Sequence, residues 1–269
     1  MKEAKTPRVA AIQMCSSSHL KENLMTAKKF IEQAAHHNTP LIVLPEMFAI
    51  MGLTPNDMLA AKEKYHDGII QDFLAEQASK NNIWIVGGTI PIAEKGNPDK
   101  VRAACLVYDA QGKVVARYDK IHLFDVTLSA TESYKESDNT EPGDTIVVVD
   151  TPVGKLGLGV CYDVRFPDMF QHLFDEGAEI IALPSAFTAK TGEAHWEILL
   201  RCRAIDHFSY VIGAAQGGTH AGGRKTFGNS MIVSPWGEII AQKEGVEPGI
   251  IYADVDLEKV YAARKAIPH

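Results

Sequence analysis

The sequence has few cysteines and lacks any long hydrophobic run. Its four cysteines among 269 residues form no C-x-x-C pair and are too few for a disulfide scaffold, so we expect free thiols and a reducing compartment. No apolar run approaches the roughly 18 residues that a membrane-spanning helix needs. The apolar run Val9–Met14 is also too short for the core of a signal peptide. We therefore expect a cytoplasmic protein without a membrane partner.

An excess of positive charge is also lacking, because 27 Lys and Arg residues stand against 34 Asp and Glu residues and the net charge is −7. A general nucleic-acid binder needs a basic face, so we expect no nucleic-acid partner. The hydrophobic fraction of 46% and the charged fraction of 23% are those of an ordinary globular protein. We expect a single domain over residues 1–269.

Short β-branched runs alternate with helical stretches, and this order occurs twice along the chain. For the first half we expect strands Arg8–Met14, Leu41–Leu44 and Ile83–Ile90, helices Lys21–His37 and Ile69–Lys80, and a hairpin of Leu106–Tyr108 with Val114–Ala116. For the second half we expect strands Lys155–Val160, Ile180–Leu183 and Tyr210–Ala215, helices Phe166–Glu176 and Glu193–His207, and a hairpin of Met231–Val233 with Glu238–Ala241.

Three short segments of the first half recur in similar form in the second half. These recurrences favour an internal duplication, although any α/β chain can show some similarity of this kind by chance. Leu44-Pro45-Glu46 recurs as Leu183-Pro184-Ser185, Val86-Gly87-Gly88 recurs as Ile212-Gly213-Ala214, and Asp109–Gly112 recurs as Ser234–Gly237. Each half would form a sheet with helices on one face, and the other face must still be buried because its strands are apolar on both sides. Two such sheets stacked face to face give the predicted fold class, an α/β four-layer α-β-β-α sandwich with an internal pseudo-two-fold repeat. The carboxyl ends of strands from both halves would then meet at one edge, where ligands usually bind.

Three residues at or near strand ends can carry chemistry. Cys161 follows a strand and precedes a helix, whose N-terminus is expected to lower the pKa of the thiol. Glu46 follows an apolar strand, where a charge is costly to bury unless it is paired or used. Lys120 precedes the mostly apolar segment Ile121–Phe124. Each residue also has an ordinary interpretation, as a core cysteine, a loop-capping glutamate and a surface lysine.

Together these three side chains can hydrolyse an amide without a histidine. A thiolate attacks a carbonyl carbon, a carboxylate moves the protons, and an ammonium stabilises the oxyanion. The sequence has no G-x-S-x-G or H-E-x-x-H motif, and its histidines show no ligand spacing, so we expect no metal. Gly218–Thr226 resembles a phosphate-binding loop but has one residue too many before its lysine. A Cys–His pair remains an alternative, with His122, His172 or His195 as the histidine.

Three segments resemble the signature segments of the nitrilase superfamily of carbon–nitrogen hydrolases, in the same order: Leu41–Phe48, Tyr118–Phe124 and Gly157–Asp168. The resemblance extends over nearly the whole chain. It implies the α-β-β-α sandwich and a Glu–Lys–Cys triad, which falls here on Glu46, Lys120 and Cys161, without a cofactor. The family often has a second glutamate bonded to the lysine, and the resemblance assigns this role to Glu136, with Glu132 and Glu141 as competitors.

The second half resembles the small-amide branch of this superfamily. The segments that carry this likeness are Pro184–Phe187, His195–Arg201 and Ser234–Gly237. Ala214–Gly218 followed by His220 is most similar to deaminated glutathione amidases, whereas ω-amidases acting on α-ketoglutaramate share most of these motifs. We expect a cysteine-dependent amidohydrolase that cleaves a small carboxylate-bearing primary amide, with deaminated glutathione favoured, to acid and ammonia through a thioester. The alternatives are an ω-amidase, an N-carbamoyl amidase, a nitrilase or, from another class, a catalytically silent binding module.

Several residues are expected to bind this small-molecule substrate. The backbone N–H of Tyr162 would hold the carbonyl oxygen together with Lys120. Because the net charge of −7 repels an anion, a local cation is needed, and Arg165 at the start of a helix is the candidate. Its alternative role is a structural ion pair with Asp163 or Asp168.

The strand that the repeat pairs with Glu46 ends at Ser185, Phe187 and Thr188, so we expect these three residues to face the same pocket. We also expect a homodimer or a higher homo-oligomer. Members of the superfamily usually continue after the counterpart of residues 266–268, so any subunit contacts made by that tail are expected to differ here.

Overall fold

The computed structural model describes residues 6–130 and 132–268. Within these ranges the α-helices are α1 (Leu20–His36), α2 (Pro55–Ala60), α3 (Ile69–Asn81), α4 (Pro167–Asp175), α5 (Ala189–Asp206) and α6 (Leu257–Ala266). Short 3-10 helices cover Glu136–Asp138 and Cys161–Arg165. None of these helices is long and apolar enough to cross a membrane.

The strands of the described ranges follow the predicted order and include several that were not predicted. They are β1 (Arg8–Gln13), β2 (Leu41–Val43), β3 (Trp84–Val86), β4 (Ile90–Ala93), β5 (Val101–Tyr108), β6 (Val114–Asp119), β7 (Asp125–Ser129), β8 (Glu132–Lys135), β9 (Val148–Thr151), β10 (Gly154–Leu158), β11 (Ile180–Ser185), β12 (Tyr210–Ala215), β13 (Gly217–Thr219), β14 (Lys225–Phe227), β15 (Met231–Val233), β16 (Ile239–Gln242) and β17 (Gly249–Asp254).

Two large sheets repeat one topology. The first has the order β17-β1-β2-β3-β5, with β4 and β6 both paired to β5, and the second has the order β9-β10-β11-β12-β15-β16. In each sheet three central strands are parallel, one edge strand is antiparallel to them, and a hairpin closes the other side. The predicted duplication is therefore present in the strand order, with β4 as an addition in the first half.

Side-chain alternation along the strands builds the four layers. In β1, Ala10 and Ile12 pack against the buried face of α1 and α3, whereas Val9 and Ala11 belong to the core shared with the second sheet. On α1 the buried residues Ala27, Ile31 and Ala34 recur every three or four positions, so one stripe of the helix covers the sheet. Helices α4 and α5 cover the outer face of the second sheet. The α-β-β-α sandwich is thus confirmed.

The predicted strand Ile83–Ile90 is wrong as a continuous strand, because two glycines break it. β3 ends at Val86, and Gly88 has φ of +57°. A Cβ atom on Gly88 would lie 2.1 Å from the carbonyl oxygen of Pro45, so only glycine fits this close approach. The chain then turns into β4, antiparallel to β5. In the second half, β11 continues through Pro184 to Ser185 instead of ending at Pro184.

The carboxyl ends of the two sheets meet. The backbone N–H of Met14, directly after β1, donates to the Ala215 carbonyl oxygen at 3.3 Å, and the Gly217 N–H donates to the Met14 carbonyl oxygen at 2.8 Å. The buried Gln216 side chain donates to the carbonyl oxygen of Glu46 at 3.0 Å. The loop after β2 is therefore fixed against the end of β12, at the edge where the sequence places the site.

Candidate active site

Cys161 lies in a tight turn shortly after β10. Its φ of 49° is in the left-handed region, which residues with a side chain rarely adopt and which is enriched at functional sites. The buried Asp163 carboxylate accepts a hydrogen bond from the Val160 N–H at 2.8 Å and closes the turn. The 3-10 helix Cys161–Arg165 follows, before α4 begins at Pro167. Cys161 itself is 6% exposed.

The same carboxylate joins this turn to the segment that carries Lys120. The Tyr118 hydroxyl donates to Asp163 Oδ2 at 2.7 Å. The His122 backbone N–H donates to Asp163 Oδ1 at 3.0 Å, and the ring Nδ1 of His122 lies 2.8 Å from the same oxygen. Asp163 therefore fixes the positions of the lysine and cysteine segments relative to each other.

The three histidines considered for a Cys–His pair have other partners or are exposed. His122 is held by Asp163 and stacks on Phe166, with 3.6 Å between the ring centroids. His195 Nδ1 lies 3.2 Å from the Arg165 guanidinium, and His172 is exposed on α4. The geometry therefore favours a carboxylate over a histidine as the partner of the thiol.

Lys120 joins both glutamates beneath the cavity. The chain enters this position from β6, and Lys120 is 2% exposed. Its Nζ lies 2.8 Å from Glu46 Oε1 and 2.8 Å from Glu136 Oε2. The Phe124 N–H also donates to Glu136 Oε2 at 2.7 Å, so the second carboxylate is held by backbone as well. One ammonium is thus shared by two carboxylates next to a thiol.

Burial and charge act in opposite directions on these groups. Burial lowers the pKa of Lys120, but the neighbouring Glu136 and Glu46 outweigh it and hold the pKa well above its usual value. Burial raises the pKa of the Cys161 thiol well above its usual value, and the adjacent, hydrogen-bonded Glu46 raises it further against the opposing effect of Lys120. The direction of this shift is opposite to the lowered thiol pKa expected from a helix N-terminus, because burial and the Glu46 carboxylate outweigh the cationic neighbour.

These groups open into one cavity of about 290 Å³. Its polar end is formed by Glu46, Lys120, Glu136 and Cys161. Its other walls are mostly apolar and are formed in part by Met47, Met51, Leu53, Met58, Phe124, Tyr134, Tyr162 and Phe187. A largely apolar pocket with a few convergent polar groups is the usual form of a small-molecule site.

The structure brings only some of the predicted binding residues to this cavity. Tyr162 and Phe187 line it, and Tyr162 meets Phe124 edge to face with 5.2 Å between centroids. Ser185 does not line the cavity, because its hydroxyl donates to the Leu183 carbonyl oxygen at 3.1 Å within the buried end of β11. Thr188 does not line the cavity either. Its hydroxyl caps α5 by accepting a hydrogen bond from the Thr191 N–H at 3.3 Å.

Arg165 lines the cavity without a carboxylate partner. Its guanidinium lies over the rings of Tyr162 and Phe187, at 5.9 and 5.5 Å from the centroids. In the part of the chain that the structure describes, Arg165 forms no ion pair within 4.0 Å. The alternative of a structural pair with Asp163 or Asp168 is therefore not what the structure shows.

The competing glutamates have other partners. Glu132 accepts a hydrogen bond from the Tyr134 hydroxyl at 3.1 Å, and Glu141 lies 3.4 Å from Lys100 Nζ. Glu136 is the one of the three that reaches Lys120. Across residues 6–130 and 132–268, no group of three or more His, Cys, Asp or Glu side chains is arranged to hold a metal ion. The four cysteines are all free thiols, as expected.

Sequence reasoning missed Arg224, which also lines the cavity. It directly precedes β14 in the glycine-containing segment that resembles a phosphate-binding loop. The sequence signal for this residue is an arginine directly after Gly222 and Gly223. The phosphate-loop pattern draws attention to the lysine that follows the arginine, so it does not single out Arg224. Thr191 of α5 was missed as well, and it lines the cavity where Thr188 was expected.

Comparison with known proteins places this geometry in a family. The model of the carbon-nitrogen hydrolase family matches residues 8–265. The deaminated glutathione amidase of Yersinia enterocolitica is 43% identical over 239 residues, which are 88% of this chain and 83% of that protein. The omega-amidase NIT2 of Homo sapiens is 36% identical over 266 residues, which are 97% of this chain and 92% of that protein. The crystal structure of Saccharomyces cerevisiae Nit3, a member of branch 10 of the nitrilase superfamily, matches with a TM-score of 0.87 and 33% identity, over 98% of this chain and 95% of that one.

Proposed function

Because the chain belongs to the carbon–nitrogen hydrolase family, and is thus a hydrolase of carbon–nitrogen bonds, we propose that it cleaves small carboxylate-bearing amides through a thioester on Cys161. One observation carries the proposal. Lys120 Nζ bridges Glu46 and Glu136 at 2.8 Å each, beside the buried thiol and at the polar end of the cavity. This arrangement supplies a nucleophile, a proton carrier and a cation for the oxyanion.

In the first step the Cys161 thiol is acylated by the substrate. Glu46 takes the thiol proton as the sulfur attacks the amide carbon, which suits a thiol whose pKa is raised. The carbonyl oxygen becomes an oxyanion, stabilised by the Lys120 ammonium and the backbone N–H of Tyr162. Glu46 then returns the proton to the nitrogen, and the C–N bond breaks. The leaving group is ammonia for a primary amide such as α-ketoglutaramate. The scissile bond of deaminated glutathione is a secondary amide, so the expectation of a primary amide and ammonia does not fit this substrate, and its leaving group is a peptide amine.

In the second step water hydrolyses the thioester. Glu46 takes a proton from the water as its oxygen attacks the same carbon, and the same two donors hold the second oxyanion. The C–S bond breaks, the acid product leaves, and the proton returns to the Cys161 sulfur. Each oxyanion donor contributes about 3 kcal/mol to lowering such a barrier. Glu136 keeps Lys120 charged and in place through both of its carboxylate oxygens, and Glu136 also lines the cavity.

Arg165 is proposed to bind the carboxylate of the substrate. It lies on the same 3-10 helix as Cys161, it lines the cavity, and it has no ion-pair partner among the described residues. The similarity to the deaminated glutathione amidase of Yersinia enterocolitica and to the omega-amidase NIT2 supports an anionic amide. Deaminated glutathione is the favoured substrate, and α-ketoglutaramate is the second candidate.

We propose that the single domain works as a homodimer or a higher homo-oligomer in the cytoplasm, without metal or cofactor. Exposed apolar side chains support self-association, because Ile198 and Ile205 lie seven positions apart on one face of α5 and are 69% and 44% exposed. Trp236 is 59% exposed and lies in the β15–β16 hairpin. The next residue of that hairpin, Gly237, lies against the Ile205 side chain, so Trp236 is close to the same surface. Light scattering of the purified protein measures the assembly, and a monomer at micromolar concentration contradicts this proposal.

A substrate panel tests the proposed activity. Release of amine, ammonia or acid is measured for deaminated glutathione, α-ketoglutaramate, an uncharged aliphatic amide, a nitrile and an N-carbamoyl compound. We expect the two anionic amides to have the highest kcat/KM. A highest value for the uncharged amide contradicts the role of Arg165, and a highest value for the nitrile or carbamoyl compound replaces the amidase assignment. If nothing is turned over and a thiol reagent labels Cys15 and Cys202 but not Cys161, the chain is a silent binding module.

A further inference from the structure

A second cation borders the cavity from a different part of the fold. Arg224 lies between β13 and β14, and its Nη2 donates to the Ala186 carbonyl oxygen at 2.9 Å. The guanidinium carbon is 5.4 Å from the centre of the Tyr134 ring, and Nη1 is 4.0 Å from the Met47 sulfur. Since these three neighbours also line the cavity, the guanidinium is fixed at its wall.

The charge of Arg224 is not neutralised by the protein. Among the residues that the structure describes, no carboxylate lies within 4.0 Å of its guanidinium. Its Nε is buried and has no hydrogen-bond partner. By contrast, Arg102 and Arg117 pair with Glu94 and Asp119. A half-buried guanidinium without an anion is costly, and a carboxylate of a ligand removes that cost.

Arg165 and Arg224 reach the cavity from different elements. Arg165 belongs to the same short helix as Cys161, so it is fixed relative to the carbon that becomes the acyl group. Arg224 belongs to the β13–β14 hairpin, next to the exposed Gly222, which also lines the cavity. An amide has two sides, the acyl group that stays on the sulfur and the amine that leaves. Two separate cations fit an amide that carries a carboxylate on each side.

Building on the proposed amidase reaction, we propose that Arg224 binds a carboxylate on the leaving amine, while Arg165 binds the carboxylate of the acyl group. The substrate class is then an amide with an anionic group on each side of the scissile bond. Deaminated glutathione meets this requirement, because its leaving portion is a dipeptide with a terminal carboxylate. α-Ketoglutaramate has the same acyl group but releases ammonia, so it has nothing for Arg224 to bind.

Three substrates with one acyl group test the assignment. They are deaminated glutathione, the same compound with its terminal carboxylate converted to a carboxamide, and α-ketoglutaramate. The variants are Arg224→Gln and Arg224→Lys, and the matched control is Lys225→Gln, which removes an exposed cation from the next position of the same hairpin. For each protein, kcat/KM is measured for all three substrates. The ratio between two substrates within one preparation does not depend on the fraction of folded enzyme.

The wild-type protein and Lys225→Gln are expected to prefer the carboxylate to the carboxamide by about 10- to 100-fold, the usual effect of a charge-assisted hydrogen bond. Arg224→Gln is expected to reduce this preference to below about threefold through KM, and to change kcat/KM for α-ketoglutaramate by less than about threefold. Arg224→Lys should retain part of the preference.

Two results overturn the assignment. One is a preference for the carboxylate that survives in Arg224→Gln, and the other is an equal loss on all three substrates, which marks a structural role. Failure of the proposed function gives a different result, since the wild-type protein would then turn over none of the three.

Discussion

Replacing Glu46 by glutamine separates the proton chemistry of the site from its shape. The side chain keeps its size, and the Gln216 side chain still binds the Glu46 main-chain carbonyl, so the loop stays in place. Lys120 loses one carboxylate partner at 2.8 Å but keeps Glu136 at the same distance, so its ammonium still has an ion-pair partner. The change removes one negative charge beside the Cys161 thiol and the group that carries its proton.

Two effects of opposite sign follow. Loss of a positioned acid–base group reduces kcat by about 100- to 10,000-fold. The carboxylate is also one of the causes that raise the pKa of Cys161, while Lys120 lowers it. Removing this neighbouring negative charge therefore lowers the pKa of the thiol, since a like charge disfavours the thiolate. At a given pH below the thiol pKa, the variant contains more thiolate than the wild-type protein.

The assay combines turnover with alkylation. Hydrolysis of α-ketoglutaramate gives kcat, and the rate of iodoacetamide addition at Cys161, followed by peptide mass spectrometry from pH 6 to 10, gives the thiol pKa. Glu63→Gln is the matched control, because Glu63 is also buried but accepts from the Ile70 and Gln71 N–H groups at the start of α3. This control should lose about 1 kcal/mol of stability and keep its kcat.

The expected result is a variant that is nearly inactive yet has a more reactive thiol at neutral pH. A Glu46→Gln protein with more than a tenth of the wild-type kcat refutes the role of Glu46 as proton carrier. An alkylation profile that moves to higher pH refutes the electrostatic account of the thiol.

Lys120→Arg keeps the charge but not the shape, and with 2.8 Å contacts to two carboxylates we expect kcat to fall at least about 100-fold while the thermal midpoint stays within a few degrees. Lys100→Arg, at a partly exposed ion pair, should leave kcat unchanged, and equal kcat for both variants disproves the role of Lys120. Glu136→Gln should lower kcat about 10- to 100-fold, whereas Glu141→Gln should not. If Glu132→Gln or Glu141→Gln is the damaging change instead, the second glutamate is misassigned.

The sequence determines the central strands because their signal is local. Runs such as Leu41–Val43 and Tyr210–Ala215 are apolar on both faces, which is typical of strands buried between layers. The edge strand Gly249–Asp254 was not predicted, because it is only half-buried and its pairing with β1 joins residues about 240 positions apart. Its existence depends on a partner that no local window contains.

In the candidate site, too, some features follow from local sequence signals and others depend on contacts between distant parts of the chain. The positions of Glu46, Lys120 and Cys161 follow from strand ends and from the resemblance, and the structure brings them together. The thiol pKa was predicted in the wrong direction, since burial and the approach of Glu46 depend on a loop more than a hundred positions away. Arg224 could not be ranked from sequence, because an arginine is notable only when no carboxylate reaches it in three dimensions.

The predicted position of Ser185 in the pocket requires the two halves of the repeat to keep the same side-chain direction after the proline that each strand meets. In the structure β11 continues through Pro184, so the Ser185 hydroxyl stays within the strand and the cavity begins one residue later, at Ala186. A shift of one residue in a strand reverses the face of the side chain, and a pattern of residue types does not determine such a shift.

The central claim, that the Cys161 thiol carries the acyl group, is tested most directly by acid-quenching the enzyme during turnover and determining the mass of every cysteine-containing peptide. Deaminated glutathione and α-ketoglutaramate share an acyl group, so both should leave the same added mass on the Cys161 peptide, and the Cys161→Ala protein should show neither adduct nor turnover. An acyl group on Cys15, Cys105 or Cys202, or near-wild-type turnover by Cys161→Ala, would contradict the account.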